Sequence, residues 1–353
     1  MRERRTTSLL ETPPSITNSI FPDQLRAVSS GDMRNADQLR IVATIGPASR
    51  DAVGALYDAG VTAFRLNASH MSAGEMASMA RTVRETLPEC PLIVDLRGAK
   101  MRVGEFAELP IRAGELVRFS LRGSDGTIPL PHPEIFEAVA PGETVGCDDD
   151  RLRFRVTAVE AGLLEAVSLT DGTLRPRKGV NVMEHPVQLK DICTADADCI
   201  RATASLGRVA FAFSFMKDGS EAEWVRNRAP GCRVIGKIER KEAAALVVQV
   251  AGLVDEIWIC RGDLGAQLGP AGMARWVSAY DPRGAPCPVL MAGQVLEHLT
   301  RHASPTRAEI CHLYDLVSRG YAGFVLSDET AIGSDPVHAV RTLRTLLEEF
   351  TGR

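Results

Sequence analysis

Short apolar runs alternate with amphipathic, helix-like segments from Leu39 almost to the end of the chain. Each run is nearly continuous in its hydrophobicity, which is typical of strands buried on both faces of a parallel sheet. Eight such strands separated by helices predict an α/β fold, a closed (β/α)₈ TIM barrel. The runs are Ile41–Thr44, Thr62–Leu66, Pro91–Val94, Val209–Phe213, Val234–Ile238, Glu256–Ile259, Pro288–Met291 and Gly323–Leu326.

The barrel pattern is interrupted between the third and fourth runs. Alternating stretches such as Leu152–Val156 and Leu163–Val167, with turns at Arg122–Gly126 and Asp171–Gly172, are typical of antiparallel strands. We therefore predict a small β domain inserted into the barrel. The predicted divisions are an N-terminal arm at 1–38, the barrel at 39–103 and 186–353, and the insert at 104–185.

The composition narrows the class of protein. Apolar residues make up 45% of the chain and charged residues 24%, as in ordinary globular enzymes. A net charge of -4 argues against nucleic-acid binding, which requires a basic surface. Eight scattered cysteines without a CxxC pair predict reduced thiols and a cytoplasmic location. No apolar run approaches the roughly 20 residues that cross a bilayer, so we expect no membrane partner.

The first 38 residues are polar and contain Pro13, Pro14 and Pro22. Prolines at these positions predict an irregular arm, with a helix beginning over Pro22–Val28. The basic residues after Met1 are not followed by an apolar segment, so they do not form a secretory leader.

Polar side chains follow nearly every apolar run. Lys237 and Glu239 end the fifth run two residues apart and so share one face of a strand. Asp263 follows the sixth run in a glycine-flanked segment that we expect to be a loop. Barrel enzymes build their sites at the carboxyl ends of the strands, so these groups predict a site for a hard divalent cation and an anionic oxygen substrate.

The charges at the strand ends suit phosphoryl transfer. Arg65, Arg102 and Lys237 would neutralise phosphate oxygens opposite two carboxylates that hold a metal. Glu309 is assigned to the start of a helix and not to the reaction. The structural alternatives left open by the sequence are a buried ion pair for Lys237 and Glu239, a salt bridge for Arg65, a loop or core histidine for His70 and a helix cap for Asp95.

Taken together, these motifs resemble the pyruvate kinase family. The resemblance extends from about Arg40 to Glu349 and implies a TIM barrel with an inserted small β-barrel domain that acts as a lid. It also implies transfer of the phosphoryl group of phosphoenolpyruvate to ADP, giving pyruvate and ATP, by a homo-oligomer (dimer or tetramer). The matching segments are Ile41–Ser49, Arg65–His70, Asp95–Arg102, Lys178–Asn181, Lys237–Glu239, Arg261–Gly265, Pro305–Glu309 and Ser327–Ala331.

The resemblance also implies a role for each site residue. Glu239 and Asp263 would hold Mg²⁺ or Mn²⁺, and Lys237 would lie against the phosphoryl group. Arg65 and Arg102 would contact phosphate oxygens. The further roles implied are the backbone N–H groups of Gly262 and Asp263 for the substrate carboxylate, Gly293 and Ser327 for the substrate pocket, and Asn67, His70 and Lys178 for nucleotide phosphates.

Several positions depart from the family pattern. Gly293 stands where members usually carry Thr, which alters the pyruvate pocket, and Asp328 replaces a Gly. Lys100 stands at a usual Glu and resembles the potassium-independent members, because a fixed ammonium can replace a monovalent cation. We therefore expect no K⁺ requirement. The chain ends at Arg353, so we expect no C-terminal regulatory domain and no allosteric control through one.

Two other functions remain open on the sequence. The same metal site could stabilise an enolate in a lyase or decarboxylase acting on a pyruvate-like 2-oxo acid, with Gly293 making room for a larger group. The second function is that of a non-catalytic homologue that retains the ligand pocket.

Overall fold

The computed structural model describes residues 36–352 except 124–125, 149 and 186. The helix predicted over Pro22–Val28 lies outside these residues. The elements before the insert are β1 (Arg40–Thr44), α1 (Val53–Asp58), β2 (Ala63–Asn67), α2 (Ala73–Thr86) and β3 (Leu92–Leu96).

The described residues of the inserted segment form eight short strands and one helix. They are β4 (Leu109–Ile111), β5 (Leu116–Ser120), β6 (Ile128–Pro129), α3 (Pro133–Ala138), β7 (Thr144–Cys147), β8 (Leu152–Glu160), β9 (Leu163–Ser168), β10 (Gly172–Leu174) and β11 (Val180–Val182).

The remaining barrel elements follow the insert. They are α4 (Thr194–Thr203), β12 (Val209–Phe213), α5 (Glu221–Arg226), β13 (Arg233–Ile238), α6 (Lys241–Ala245), α7 (Val247–Leu253), β14 (Glu256–Cys260), α8 (Arg261–Ala279), β15 (Val289–Ala292), α9 (Arg307–Ser318), β16 (Gly323–Leu326), α10 (Asp328–Ala331) and α11 (Pro336–Thr351). Short 3₁₀ turns are at Ala36–Gln38, Ala204–Leu206, Pro282–Gly284 and Glu297–Thr300.

Eight parallel strands close into one barrel, in the order β1-β16-β15-β14-β13-β12-β3-β2. Each of the eight predicted apolar runs overlaps one of these strands, which confirms the TIM barrel. The alternation along each strand divides its side chains between two cores. On β1, for example, Ile41 and Ala43 pack outward against the helices, whereas Val42 joins Ile93, Trp258 and the other side chains inside the barrel. On each strand, the residues an even number of positions from such an interior side chain therefore face the barrel axis.

The bottom of the barrel interior is closed by a buried ion cluster. Arg40 pairs with the fully buried Glu256, whose other carboxylate oxygen accepts a hydrogen bond of 2.7 Å from the indole N–H of Trp258. Arg233 lies 3.9 Å from the same carboxylate. These charges are at the amino ends of the strands, which is the end of a TIM barrel that contributes to stability and not to catalysis.

The insert forms a separate β unit with its own apolar core around Phe119, Phe154 and Leu164. Its strands form a six-stranded sheet in the order β11-β7-β8-β9-β5-β6, and β4 pairs with β10 in a second, two-stranded sheet. The predicted inserted β domain is thus confirmed, and its described strands are divided between these two sheets. The turn expected at Asp171–Gly172 is displaced, because Gly172 already belongs to β10.

No described helix is both long and apolar enough to cross a membrane. All eight cysteines of the sequence lie within the described residues, and each is a free thiol.

Candidate functional site

Lys237 is the centre of a buried charged cluster at the carboxyl end of β13. Its ammonium lies 3.0 and 3.1 Å from the two carboxylate oxygens of Asp95 and 3.0 Å from Oε1 of Glu239. It also donates a hydrogen bond of 2.8 Å to the hydroxyl of Ser214. Lys237 and Glu239 face the barrel axis together, as their two-residue spacing predicts.

Asp95 joins the two cations of this cluster. It lies within β3, and its Oδ2 accepts a hydrogen bond of 2.7 Å from Nε of Arg65 in addition to the contact with Lys237. The helix cap that we left open for Asp95 is therefore wrong, since a residue facing the barrel axis cannot cap an outer helix. The salt-bridge alternative for Arg65 is correct as a contact, and this salt bridge lies in the wall of the cleft.

The protonation states of Asp95 and Lys237 are set by their charged neighbours. Burial alone would raise the pKa of Asp95, but Lys237 and Arg65 outweigh burial and hold the pKa below its usual value. Burial would likewise lower the pKa of Lys237, but Asp95 and Glu239 outweigh it and hold the pKa above its usual value. Asp95 is thus ionised and Lys237 protonated at neutral pH.

Backbone and hydroxyl groups fix the orientation of the cluster. Arg65 donates a hydrogen bond of 2.8 Å from Nη1 to the hydroxyl of Thr44, which in turn donates to the carbonyl of Leu326 at 2.8 Å. Glu239 accepts a hydrogen bond of 2.8 Å at Oε2 from the backbone N–H of Phe215. The members of the cluster are held from both sides, which limits their rotamers.

Gly262 and Asp263 lie in the first turn of α8, not in the loop that the flanking glycines predict. The helix begins at Arg261, directly after β14, and it is interrupted only at Gly269, where φ is 69°. First-turn N–H groups have no partner within the helix, so those of Gly262 and Asp263 can donate to an anion. The side chain of Asp263 lies 3.5 Å from the ammonium of Lys100.

The segment after β15 is held by hydrogen bonds to two side chains. Arg261 donates hydrogen bonds of 2.9 Å from Nε to the carbonyl of Gly293 and of 2.7 Å from Nη2 to the carbonyl of Gln294. The carboxylate of Glu329 accepts the N–H groups of Val295 at 3.0 Å and Leu296 at 3.1 Å.

Glu329 also ties this segment to the end of β16. Its second carboxylate oxygen accepts the N–H of Ser327 at 2.8 Å. We assigned no role to Glu329 or to Arg261 from the sequence, although both lie in motifs that we quoted. Glu329 binds backbone N–H groups, and Arg261 binds two backbone carbonyls and the imidazole of His312. Contacts to backbone groups leave no pattern in the sequence, apart from a charged residue beside apolar strand ends.

The remaining predicted residues line the other side of the cleft. Asn67 ends β2 and accepts the N–H of Ser69 at 3.0 Å. Burial, followed by Arg65 and Arg102, lowers the pKa of His70, so its imidazole is neutral at pH 7. Lys178 pairs at 2.8 Å with Asp148 of the insert.

One cleft of about 570 Å³ brings the predicted site residues together. It lies at the carboxyl mouth of the barrel beneath the insert. Its lining includes Arg65, Asn67, His70, Arg102, Lys178, Lys237, Glu239, Gly262, Asp263, Gly293 and Ser327. Lys100 instead lines a neighbouring cavity, which shares Phe215 and Asp263 with this cleft.

The two carboxylates in the lining fit a hard divalent cation. The described residues hold no group of three His, Cys, Asp or Glu side chains that could bind a metal on their own. Mg²⁺ needs fewer, since it is usually held by one or two carboxylates together with water and substrate phosphates. Glu239 and Asp263 keep unused lone pairs for this purpose, because an ionised carboxylate offers about four acceptor sites.

A (β/α)₈ barrel with a buried Lys–Asp–Glu–Arg cluster at the carboxyl ends of its strands is the architecture of a barrel enzyme, and the arginines that line its cleft suit phosphoryl transfer. The family model described as "Pyruvate kinase, barrel domain" matches residues 36–340. The chain belongs to the pyruvate kinase family.

Individual relatives agree with the family model. A pyruvate kinase of Agrobacterium vitis is 34% identical over 335 residues, which cover 90% of this chain and 69% of the relative. A pyruvate kinase of Methylorubrum extorquens is 31% identical over 332 residues, again 90% of this chain and 69% of the relative. A pyruvate kinase of Thermoplasma acidophilum is 31% identical over 316 residues, which cover 86% of this chain and 57% of the relative.

Proposed function

We propose that this enzyme transfers the phosphoryl group of phosphoenolpyruvate to ADP. The bond between phosphorus and the enol oxygen breaks, and a bond forms from phosphorus to an oxygen of the ADP β-phosphate. The enolate that remains takes a proton on carbon 3 and becomes pyruvate. The observation that carries the proposal is the buried ammonium of Lys237, which lies in the cleft wall between Asp95 and Glu239.

Lys237 and Arg65 supply positive charge for the phosphoryl group in this proposal. Both are held by Asp95 at 2.6 to 3.1 Å, so they need little reorganisation when charge develops on the phosphoryl oxygens. The first-turn N–H groups of Gly262 and Asp263 would receive the substrate carboxylate, in keeping with the preference of helix N-termini for anions.

Glu239 and Asp263 would hold Mg²⁺ or Mn²⁺. Such a cation supplies Lewis-acid stabilisation of the negative charge on phosphate and enolate oxygens. The two residues follow β13 and β14, which are adjacent strands of the barrel, and both line the cleft, which supports a shared cation.

The nucleotide phosphates would lie on the side of Asn67, His70, Arg102 and Lys178. All four residues line the cleft, and Arg102 and Lys178 bring positive charge to it. Lys178 pairs with Asp148 in the structure, so it would have to exchange that carboxylate for a phosphate when the nucleotide arrives.

Lys100 would replace a monovalent cation. Its ammonium lies 3.5 Å from Asp263 and 4.7 Å from the ring centroid of Phe215, so it brings a fixed positive charge beside the site. The ammonium of Lys100 would repel a K⁺ ion at the same place, because two like charges would then be in close contact.

We also retain the homo-oligomer as part of the proposal. The α6–α7 surface supports it, because Leu246, Val248 and Leu253 expose 39%, 72% and 42% of their surface there. Light scattering after size-exclusion chromatography tests the assembly, and a mass of one chain at micromolar concentration would contradict it.

The reaction is tested with phosphoenolpyruvate, ADP and Mg²⁺, by measuring pyruvate and ATP. We expect turnover that chelation of the metal abolishes, and a loss of about 10²–10³-fold in kcat for Lys237→Met. Lys190→Met is the matched control, because Lys190 is an exposed lysine paired with Glu137 at 2.6 Å.

Pyruvate formation no greater than that of Lys237→Met would refute the proposal. Turnover of a 2-oxo acid without any nucleotide would instead favour the lyase or decarboxylase function. Binding of phosphoenolpyruvate in calorimetry without turnover would favour the non-catalytic homologue.

A further inference from the structure

The walls of the cleft differ in chemistry around the barrel. The charged wall is built by β2 and β13, which carry Arg65 and Lys237, and both side chains are held by Asp95 of β3. The first turn of α8, after β14, presents backbone N–H groups. The wall formed by the ends of β15 and β16 has only small side chains (Ala292, Gly293, Val325 and Ser327) among the residues described in the lining.

This arrangement assigns the three substituents of an enolpyruvate to three walls. Carbon 2 of the enol is planar and bears the phosphoryl oxygen, the carboxylate and carbon 3. The phosphoryl group faces Lys237 and the carboxylate faces the first turn of α8 under the proposed function, on which this step rests. Carbon 3 is then left to face the wall of β15 and β16.

Gly293 leaves open space in that wall. A Cβ atom built on Gly293 would have one neighbouring heavy atom within 4 Å, the backbone nitrogen of Gly262 at 3.9 Å. That nitrogen belongs to the N–H groups assigned to the carboxylate. A side chain at residue 293 would therefore project into the volume beside the substrate, and glycine leaves that volume open.

The open space is a fixed feature of the backbone. Gly293 has a φ of 79° and Gln294 a φ of 54°, both in the left-handed region that a β-branched side chain avoids. The hydrogen bonds of Arg261 to both carbonyls hold this conformation, and Glu329 holds the two N–H groups that follow. The segment therefore cannot easily collapse into the space.

From this geometry we infer that the cleft accepts a substituent on carbon 3 of the enolpyruvate. The substrates of the enzyme then include phosphorylated enols of 2-oxo acids longer than pyruvate. The substituent must be small and apolar, since Ala292, Gly293 and Val325 offer it no charge. Ser327 supplies the hydroxyl group of this wall.

The test compares phosphoenolpyruvate with the phosphorylated enol of 2-oxobutyrate, which carries one methyl group on carbon 3. Both are assayed with ADP and Mg²⁺, and formation of ATP is measured. We expect kcat/KM for the methylated donor to lie within about tenfold of that for phosphoenolpyruvate. A deficit above about 200-fold would overturn the inference while leaving the proposed function intact. Absence of turnover with both donors would instead refute the proposed function.

The variant Gly293→Ala tests the position of the space. Its methyl group would fill part of the volume, and we expect the ratio of kcat/KM, methylated donor over phosphoenolpyruvate, to fall about 10- to 200-fold. Gly207→Ala is the matched control, because Gly207 has a φ of 70° and a Cβ there would meet nothing within 4 Å. Both variants carry similar backbone strain, so their melting temperatures should fall alike.

The ratio should be unchanged in Gly207→Ala. An unchanged ratio in Gly293→Ala would show that carbon 3 does not face Gly293 and would overturn the inference. If Gly293→Ala does not fold, the comparison of the two donors with the wild-type enzyme still decides the question.

Discussion

Asp95 is the residue whose removal should most disturb the site. It is 1% exposed and accepts hydrogen bonds from both Arg65 and Lys237. Asp95→Asn keeps the shape of the side chain. One carboxylate oxygen becomes an amide nitrogen, whose N–H groups cannot bond to Lys237 or Arg65, because both of these are donors as well. The variant therefore leaves positive charge buried without compensation, which is among the most destabilising changes that a core can undergo.

The magnitude follows from the distances. Two unit charges 3 Å apart attract by about 5–6 kcal/mol at an effective dielectric constant of about 20. Asp95 makes two such contacts, with Lys237 at 3.0 Å and with Arg65 at 2.6 Å. The cost of removing the ions from water offsets much of this attraction. We expect Asp95→Asn to lower the free energy of unfolding by about 3–5 kcal/mol.

The pH dependence gives a second test. Lys237 and Arg65 outweigh burial and hold the pKa of Asp95 below its usual value. A lowered carboxyl pKa stabilises the fold above the unfolded-state value of about 3.9, and this contribution is lost as the pH falls through the folded value. The stability difference between wild type and Asp95→Asn should thus be constant from roughly pH 6 to pH 8 and shrink below about pH 4.

Urea denaturation followed by tryptophan fluorescence is the assay. All three tryptophans lie in the barrel and none in the insert, so the signal reports the barrel. The matched control is Asp198→Asn, because Asp198 pairs with Arg201 at 2.6 Å on the surface and should cost at most about 1 kcal/mol. An equal loss in the two variants would refute the electrostatic role of Asp95. The double variant Asp95→Asn/Lys237→Met should cost about 1–3 kcal/mol less than the sum of the single variants.

Three further predictions concern other parts of the barrel. Glu256→Gln, in the ion cluster at the bottom, should lower the free energy of unfolding by about 3–5 kcal/mol and leave KM unchanged; a changed KM would contradict its purely structural role. Glu329→Gln should lower kcat/KM for the phosphoryl donor about tenfold, because the segment it holds lines the cleft, and steady-state kinetics equal to wild type would contradict this. The wild-type rate should be the same in potassium and tetramethylammonium chloride, whereas Lys100→Glu should require K⁺; activation of the wild type by K⁺ would show that Lys100 does not replace the ion.

The barrel could be predicted because its strands are buried on both faces. Short, nearly continuous apolar runs separated by helices leave few alternative folds, and each run overlaps a barrel strand. The insert was harder, since its strands are short and its pairings depend on turns. Gly172, for example, is a turn residue by composition, yet it pairs with Ile111 in the two-stranded sheet.

Local composition was also misleading at Asp263. Glycine has a low helix propensity, so two glycines around an aspartate predict a loop. In the structure the chain continues from β14 directly into α8, because the following residues pack this helix against the barrel through Leu264. Tertiary packing outweighed helix propensity. As a result the N–H groups of Gly262 and Asp263 are aligned in the first turn of a helix, which a loop would not have done.

The role of Asp95 could not be derived from the sequence alone, because its partners lie 30 and 142 residues away. Its position within an apolar strand was a hint, since a charged residue facing a barrel interior requires a partner. The consequence for function is electrostatic. Two cations and two anions make the buried cluster neutral, and a phosphorylated anion entering it alone would bring uncompensated negative charge.

A divalent cation entering with the anion would reduce that excess. The buried cluster itself therefore adds no net charge for the donor, and the cations that line the cleft, such as Arg102 and Lys178, would balance the donor together with a metal. This property depends on Asp95, because without it Lys237 and Arg65 would leave a net positive site that binds anions without a metal. The residue that the sequence left as a possible helix cap thus sets the net charge of the buried cluster.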